Sequence, residues 1–114
     1  MNNKRNLSRR NSPHRINVLL AEDERVLGRL VNITTGGLMF LTSDSGLTSG
    51  LLRVRLPLPT MTKNRTSIEV EGEIVWTAPD ANERYHRVGI QFTNLGAEEG
   101  YLIETVLQRL HLVG

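Results

Sequence analysis

The chain of 114 residues contains no cysteine. This absence excludes a disulfide framework, a thiol nucleophile and any zinc site built on thiolates. Long hydrophobic runs are also missing, because the longest, such as 18–21 and 38–41, have four residues, whereas a membrane-spanning helix needs about 20. The basic start of the chain leads into no apolar stretch, so we expect no secretory signal. We therefore expect a cytoplasmic protein without a membrane span.

Aromatic side chains are few, since the chain has two Phe, two Tyr and one Trp. A platform that stacks single-stranded nucleic acid needs several exposed aromatic residues. The alternation of polar and apolar residues assigns most of these rings, including Trp76, to a protein core. General nucleic-acid binding is therefore the least favoured binding function, and it would depend on charge alone.

The residues that could carry out chemistry form no enzymatic constellation. His14, His86 and His111 lack the spacing that is typical of metal ligands. No serine has a histidine and an acid partner that the sequence identifies. We therefore expect a protein that is not an enzyme, with no catalytic residues, no metal site and no cofactor.

Positive charge is concentrated at the start of the chain. Residues 1–15 carry five basic side chains and no acidic one, whereas the rest has nine basic and 12 acidic side chains, a net charge of −3. Because the formal total is only +2, the basicity is local. Such a segment is typical of a solvated tail, an arm for nucleic acid or another acidic surface, or an anion clamp. We predict a flexible basic leader over residues 1–14.

Hydrophobic residues alternate with period two along most of the chain, which predicts antiparallel strands. On the second strand the alternation places Val26, Gly28, Leu30 and Asn32 on one face. Pro57 and Pro59 are expected to end the fourth strand. Six strands are predicted, over residues 15–21, 25–32, 38–43, 51–58, 67–77 and 85–92.

After Gly96 the hydrophobic period changes to that of a helix, predicted over about 97–110. Its apolar stripe includes Leu102, Ile103 and Leu107 and must pack on another element. We predict an all-β fold with one C-terminal helix, in which the helix covers the open end of a small antiparallel barrel or curled sheet.

Two segments stand out as candidate binding motifs. The first is the arginine-rich stretch that ends at Arg15, and the second is Asn32-Ile33-Thr34-Thr35-Gly36-Gly37. If the first two strands form a hairpin, Arg15 and Asn32 come to the same edge. Arginine holds phosphate bidentately and can donate to guanine, so this pairing suits a compact anionic nucleotide. The alternatives are a basic tail and a plain turn, since Asn, Thr and Gly are also turn residues.

These motifs resemble those of the PilZ domains, bacterial receptors for cyclic di-GMP. The resemblance covers nearly the whole chain and implies a six-stranded antiparallel β-barrel over residues 15–114. It also implies that the arginine leader orders over the bound nucleotide. The matching segments are Arg9-Arg10 to Arg15, Asn32 to Gly37, Ile74-Val75-Trp76, Arg87-Val88-Gly89-Ile90-Gln91-Phe92, and the helix after Gly96.

The resemblance also implies which residues bind the nucleotide. Arg15 matches the second leader arginine, Asn32 the Asp/Asn position, Thr34 the serine and Gly37 the closing glycine. Four residues separate Arg10 from Arg15, where the family usually has three, so the first arginine is out of register by one. Arg9 is the substitute for it. The expected ligand-binding residues are Arg9, Arg10, Arg15, Asn32, Thr34, Gly36 and Gly37.

The expected function is that of a single-domain cyclic di-GMP receptor. Ordering of the arginine leader over the nucleotide would alter a surface that binds a protein partner. The alternative is a PilZ-like adaptor that does not bind nucleotide and acts through protein–protein contacts. The leader spacing favours the alternative, and the remaining motifs favour the receptor.

Overall fold

A computed structural model describes residues 14–110 and 112, in which six antiparallel strands close into a barrel with the order β1-β2-β3-β6-β5-β4. A short C-terminal helix follows the last strand, so the predicted six-stranded barrel with one helix is confirmed. Most of the predicted leader, including Arg9 and Arg10, lies outside the described residues. The elements are β1 (Asn17–Leu20), β2 (Val26–Ile33), β3 (Gly37–Thr42), β4 (Gly50–Thr62), β5 (Arg65–Pro79), β6 (His86–Asn94), α1 (Ala97–Thr105) and a 3₁₀ turn (Leu107–Arg109).

The longest strand pair, β4 with β5, follows the predicted alternation. Val54 and Val70 are paired in register and are buried in the barrel. On the outer face, Arg53 lies opposite Glu71 and Arg55 opposite Glu69, and each pair forms a salt bridge. The acidic residues of β5 therefore lie on the solvent side of the strand, as period-two alternation requires.

The prediction that Val26, Gly28, Leu30 and Asn32 share one face of β2 is wrong, because the strand register slips twice and each slip shifts the alternation. Val26 is 54% exposed and Asn32 is also exposed, while Leu27, Leu30 and Ile33 are buried. The pairing of β2 slips once against β1 and again between Leu30 and Asn32. Each extra residue in a strand moves the following side chains to the opposite face. The second slip places Asn32 on the outside of the barrel.

A third irregularity, in β5, corrects the prediction that Trp76 belongs to the core. The register against β6 shifts between Ile74 and Trp76, and Trp76 pairs with Gly89. Ile74 is buried, whereas Trp76 is 44% exposed. The only tryptophan of the chain therefore lies on the outer surface of the barrel.

The fourth strand does not end at its prolines. It continues through Pro57 and Pro59 to Thr62, which pairs with Arg65 at the start of β5. The ladder is irregular between Pro57 and Thr62, which is where strands tolerate proline. Lys63 and Asn64, with φ of 53° and 60°, form the two-residue turn, and a pair of left-handed residues matches the twist of a hairpin.

The C-terminal helix packs its apolar stripe into the barrel core. Leu102, Ile103 and Leu107 are fully buried in the same cluster as the strand residues. The regular helix ends at Thr105, earlier than predicted, because Val106 departs from helical geometry, with φ −119° and ψ −67°. A 3₁₀ turn then carries Leu107 into the core. Among the described residues, no helix has the length and apolar character to cross a membrane.

Candidate functional site

The turn between β2 and β3 contains the predicted Asn-Thr-Gly motif and is held by three hydrogen bonds. The backbone N–H of Gly36 donates to Thr34 Oγ1 over 3.1 Å. The N–H of Thr34 donates to the carbonyl of Gly37, and the N–H of Phe92 donates to the carbonyl of Gly36, both over 2.9 Å. The turn is therefore fixed to β6, and Thr34 keeps its hydroxyl hydrogen for another partner.

Gly37 is required by the close approach of β3 to β6. A Cβ atom at this position would lie 2.1 Å from the carbonyl oxygen of Ile90, far inside van der Waals contact. At Gly36 a Cβ would come no nearer than 3.6 Å to Thr34 Oγ1. Of the two predicted site glycines, Gly37 therefore fixes the strand geometry, while Gly36 leaves open space beside the turn.

Asn32, Thr34 and Gly37 line one shallow cleft of roughly 290 Å³ on the outer surface of the barrel. Strands β2, β3, β5 and β6 contribute to it. Its other lining residues are Leu38, Met39, Trp76, Gly89 and Ile90. The cleft, referred to below as the Asn32 cleft, thus combines short polar groups at one side with an aromatic ring.

Trp76 owes its position in the Asn32 cleft to Gly89. A Cβ atom at Gly89 would lie 2.2 Å from Trp76 Nε1 and Cε2, so the indole lies directly on the glycine backbone. The partly exposed ring is available for stacking. Sequence reasoning missed Trp76 and Met39 as site residues. A glycine within the apolar strand Val88-Gly89-Ile90 was the signal that a ring packs against the backbone there.

Arg15 does not line the Asn32 cleft in this structure. Its side chain is exposed and lines a different cleft together with Arg29 and Tyr85. The backbones of β1 and β2 are nevertheless paired as a hairpin, with the N–H of Leu30 donating to the carbonyl of Ile16 over 2.8 Å. The structure therefore brings Asn32, Thr34 and Gly37 together in one cleft, whereas Arg15 lines another.

The lining of the Asn32 cleft contains no charged side chain among the described residues. Perturbed ionisable groups lie elsewhere. The side-chain hydrogen bond from Arg65 lowers the pKa of Glu99. The hydrogen bond from the backbone N–H of Asn82 lowers the pKa of Asp80, and the hydrogen bond from Arg87 lowers it further. Residues 14–110 and 112 also contain no group of three or more acidic or histidine side chains that could hold a metal ion. The cleft is thus suited to binding a polar ring, and a phosphate there would need cations from another segment.

On their other side, Asn32 and Thr34 face the C-terminal segment. They line a second small cleft of roughly 230 Å³ together with Leu107 and Gln108. The bridge between His14 and Leu112 also joins the start of the described chain to this segment. The candidate site therefore contacts the 3₁₀ turn and the chain end as well as the barrel.

Comparisons with known proteins give a family and similar solved structures. The family model "PilZ domain" matches residues 3–110. The solved structure of the Bacillus subtilis Inhibitor of motility (MotI/DgrA) is similar, with a TM-score of 0.64 and 20% sequence identity, over 86% of this chain and 47% of that chain. The present chain thus spans about half the length of that protein, and at this identity the likeness concerns the fold. Comparison with curated proteins gives no match.

Proposed function

Because this chain belongs to the PilZ domain family, whose members are non-catalytic and typically bind cyclic di-GMP, we propose that it is a receptor for cyclic di-GMP. A guanine base lies in the Asn32 cleft, stacked on the exposed face of Trp76. Asn32 and Thr34 donate and accept hydrogen bonds at the guanine edge. The leader arginines Arg9 or Arg10, with Arg15, bind the phosphates and the second base.

One observation carries this proposal, namely the convergence of Asn32, Thr34 and Gly37 with Trp76 on a single uncharged cleft. An indole face stacks on any nucleobase, and stacking of this kind contributes about 1–3 kcal/mol per base. An amide and a hydroxyl supply both donors and acceptors, which is what the edge of guanine requires.

The basic leader supplies the charge that the cleft lacks. Residues 1–15 carry five basic side chains, whereas cyclic di-GMP carries two phosphodiester groups. Guanidinium groups bind phosphate with charge-assisted, bidentate hydrogen bonds. Binding in this proposal therefore orders the leader over the nucleotide, and Arg15 leaves the cleft that it shares with Arg29.

Leader ordering also provides a route to a partner protein. His14 of the leader is bridged to Leu112, and Asn32 and Thr34 adjoin the 3₁₀ turn at Leu107. A ligand that contacts Asn32 and repositions the leader acts on both of these contacts. The surface formed by the leader and the C-terminal segment is therefore the part of the molecule that we expect a partner to recognise.

A second candidate is an adaptor that does not bind nucleotide. It is favoured by the four-residue spacing between Arg10 and Arg15 and by the position of Arg15 outside the Asn32 cleft. In this function the barrel surface binds its protein partner directly, with the Asn32 cleft empty.

Calorimetric titration of cyclic di-GMP into Asn32→Ala and Asn94→Ala variants separates the two functions. Both asparagines are exposed on strands of the barrel, but only Asn32 lines the Asn32 cleft. The receptor function predicts saturable binding to the wild type and to Asn94→Ala, weakened about tenfold in Asn32→Ala by the lost hydrogen bonds. Absence of cyclic di-GMP binding to the wild type would favour the adaptor. Equal affinity of the two variants would show that Asn32 does not bind the nucleotide.

A further inference from the structure

A third cleft lies on the outer surface where β1, β2 and β3 meet the segment before β6. It encloses roughly 270 Å³ and shares no lining residue with the Asn32 cleft. Arg15 and Arg29 line it, together with the polar side chains of Asn17, Thr42 and Tyr85. It is referred to below as the Arg29 cleft, and the proposed nucleotide site does not account for it.

The Arg29 guanidinium is incompletely satisfied in this cleft. Its Nε atom is buried and has no hydrogen-bond partner among the described residues. The register places Arg29 on the central strand of the three, between Asn17 on β1 and Leu41 on β3. Buried donors are almost always paired with protein, water or an ion, so an unpaired guanidinium nitrogen indicates that an acceptor belongs beside it.

The charges around the Arg29 cleft also differ from those on the rest of the barrel. Two arginines line it, and no acidic side chain does so within the described residues. The other arginines on the barrel strands hold carboxylates of the same chain. These pairs are Arg53 with Glu71, Arg55 with Glu69 and Glu24, Arg65 with Glu98 and Glu99, and Arg87 with Asp80.

The remaining walls determine the size and character of the ligand. Leu41 points outward, yet it is only 9% exposed, so it forms an apolar floor beside the arginines. Thr42 and Ser43 add hydroxyl groups, and Tyr85 adds an aromatic ring. A volume of roughly 270 Å³ admits a compact molecule.

We propose that the Arg29 cleft binds a small-molecule oxyanion, a phosphate or a carboxylate. Its oxygen atoms accept hydrogen bonds from the Arg29 Nε–H and from the guanidinium of Arg15. Two cations around one anion satisfy the bidentate geometry that arginine favours. Arg15 also belongs to the proposed nucleotide site, so Arg29 is the residue that tests the oxyanion site, in samples that contain no nucleotide.

The test is an NMR titration of the labelled wild-type protein with inorganic phosphate, at constant ionic strength. We expect saturable shifts of the Arg29 Nε–H signal and of the Gly28 and Thr42 amide signals. A parallel titration with acetate determines which class of anion binds. Saturation by phosphate alone identifies a phosphate site, and saturation by both anions identifies a general oxyanion site. Shifts that grow linearly with both anions would overturn the proposal.

Variants make the assignment specific to Arg29. Arg29→Met should weaken phosphate binding about tenfold or more. Arg29→Lys keeps the charge but lacks the planar array of guanidinium N–H donors, so it should also weaken binding. Arg53→Met is the matched control, since Arg53 also faces outward from a strand but is paired with Glu71. Its affinity for phosphate should equal that of the wild type. Wild-type affinity in a folded Arg29→Lys or Arg29→Met variant, or an equal loss in Arg53→Met, would contradict the proposal.

Discussion

Trp76 and Gly89 form the residue pair on which the Asn32 cleft depends most. The indole rests on the glycine backbone, where a Cβ atom would overlap it at 2.2 Å. The pair exists because β5 and β6 are adjacent and because the register slips just before Trp76. Glycine at residue 89 therefore sets the depth of the cleft and the orientation of its aromatic ring.

Replacement Gly89→Ala should displace the Trp76 ring and weaken cyclic di-GMP binding. Loss of the stacking surface corresponds to about 1–3 kcal/mol of binding free energy, and overpacking should reduce the free energy of unfolding by about 1–3 kcal/mol. Because Trp76 is the only tryptophan, its fluorescence emission reports the displacement directly. Gly100→Ala is the control, since a Cβ there comes no closer than 3.4 Å to Leu95. Unchanged emission and affinity in Gly89→Ala would disprove the role of this pair.

Arg15→Ala should abolish or strongly weaken nucleotide binding without unfolding the barrel. A charge-assisted hydrogen bond contributes about 1.5–3 kcal/mol, and the Arg15 side chain is exposed. Calorimetry with cyclic di-GMP measures the affinity, and urea unfolding measures the stability. Arg25→Ala, which removes an exposed arginine beside the turn that joins β1 to β2, should behave as the wild type. Wild-type affinity in Arg15→Ala would exclude the leader arginine from the site.

The sequence predicted part of the cleft and missed part of it for a physical reason. Asn32, Thr34 and Gly37 belong to a contiguous motif, so their proximity follows from the chain itself. Trp76 reaches the same cleft only because an extra residue in β5 reverses the alternation. Period-two patterns contain no signal for such a slip, and the ring was therefore assigned to the core.

At the scale of elements, Arg65 connects the β4–β5 hairpin to the start of α1. Its Nη1 donates to Glu98 Oε1 over 2.6 Å and to Glu99 Oε2 over 2.9 Å. These carboxylates lie in the first turn of the helix, where the macrodipole also favours negative charge. The contact joins the start of the helix to the hairpin, and Leu102 and Ile103 of the same helix are buried in the barrel.

The free energy of unfolding should therefore decrease at acidic pH, in part because Glu99 becomes protonated. The Arg65 hydrogen bond lowers the pKa of Glu99 below its ordinary value of 4.5. A carboxyl group whose pKa is lower in the folded protein than in the unfolded chain stabilises the fold at every pH above its pKa in the unfolded chain. This stabilisation is lost as the pH falls through its pKa in the folded protein. In urea unfolding, Glu99→Gln should be less stable than the wild type at pH 7, and the difference should shrink as the pH falls below the ordinary carboxyl pKa of 4.5.

A matched control for this prediction lies on the same helix. Glu104 is exposed and forms no salt bridge within the described residues. The loss of stability between neutral and acidic pH should therefore be the same in Glu104→Gln as in the wild type. A difference between Glu99→Gln and the wild type that persists unchanged at low pH would contradict the assignment to the ionised carboxylate.

The boundaries of elements were less predictable than their number. Six strands and a helix follow from the hydrophobic periods, but β4 passes through Pro57 and Pro59 because the ladder there is irregular. The helix stops at Thr105 and continues as a 3₁₀ turn, although its apolar stripe extends to Leu110. Both differences come from tertiary pairing and packing, which local propensity does not encode.

At the scale of the whole molecule, barrel closure assembles the site from distant segments. Strand β6 lies between β3 and β5 in the order of the barrel. The Asn32 motif, Gly89 and Trp76 are therefore adjacent in space although they are far apart in sequence. The resemblance to PilZ domains predicted a closed barrel, but the alternation of residues alone allowed an open, curled sheet as well.

A fluorescence titration with cyclic di-GMP tests the central claim most directly. Trp76 is the only tryptophan and lines the Asn32 cleft, so a base stacked on it must change its emission. The receptor function predicts saturable quenching by cyclic di-GMP, with GTP at equal concentration giving a far smaller effect. An emission spectrum that stays unchanged up to high micromolar cyclic di-GMP would contradict the receptor function and leave the adaptor as the function of this barrel.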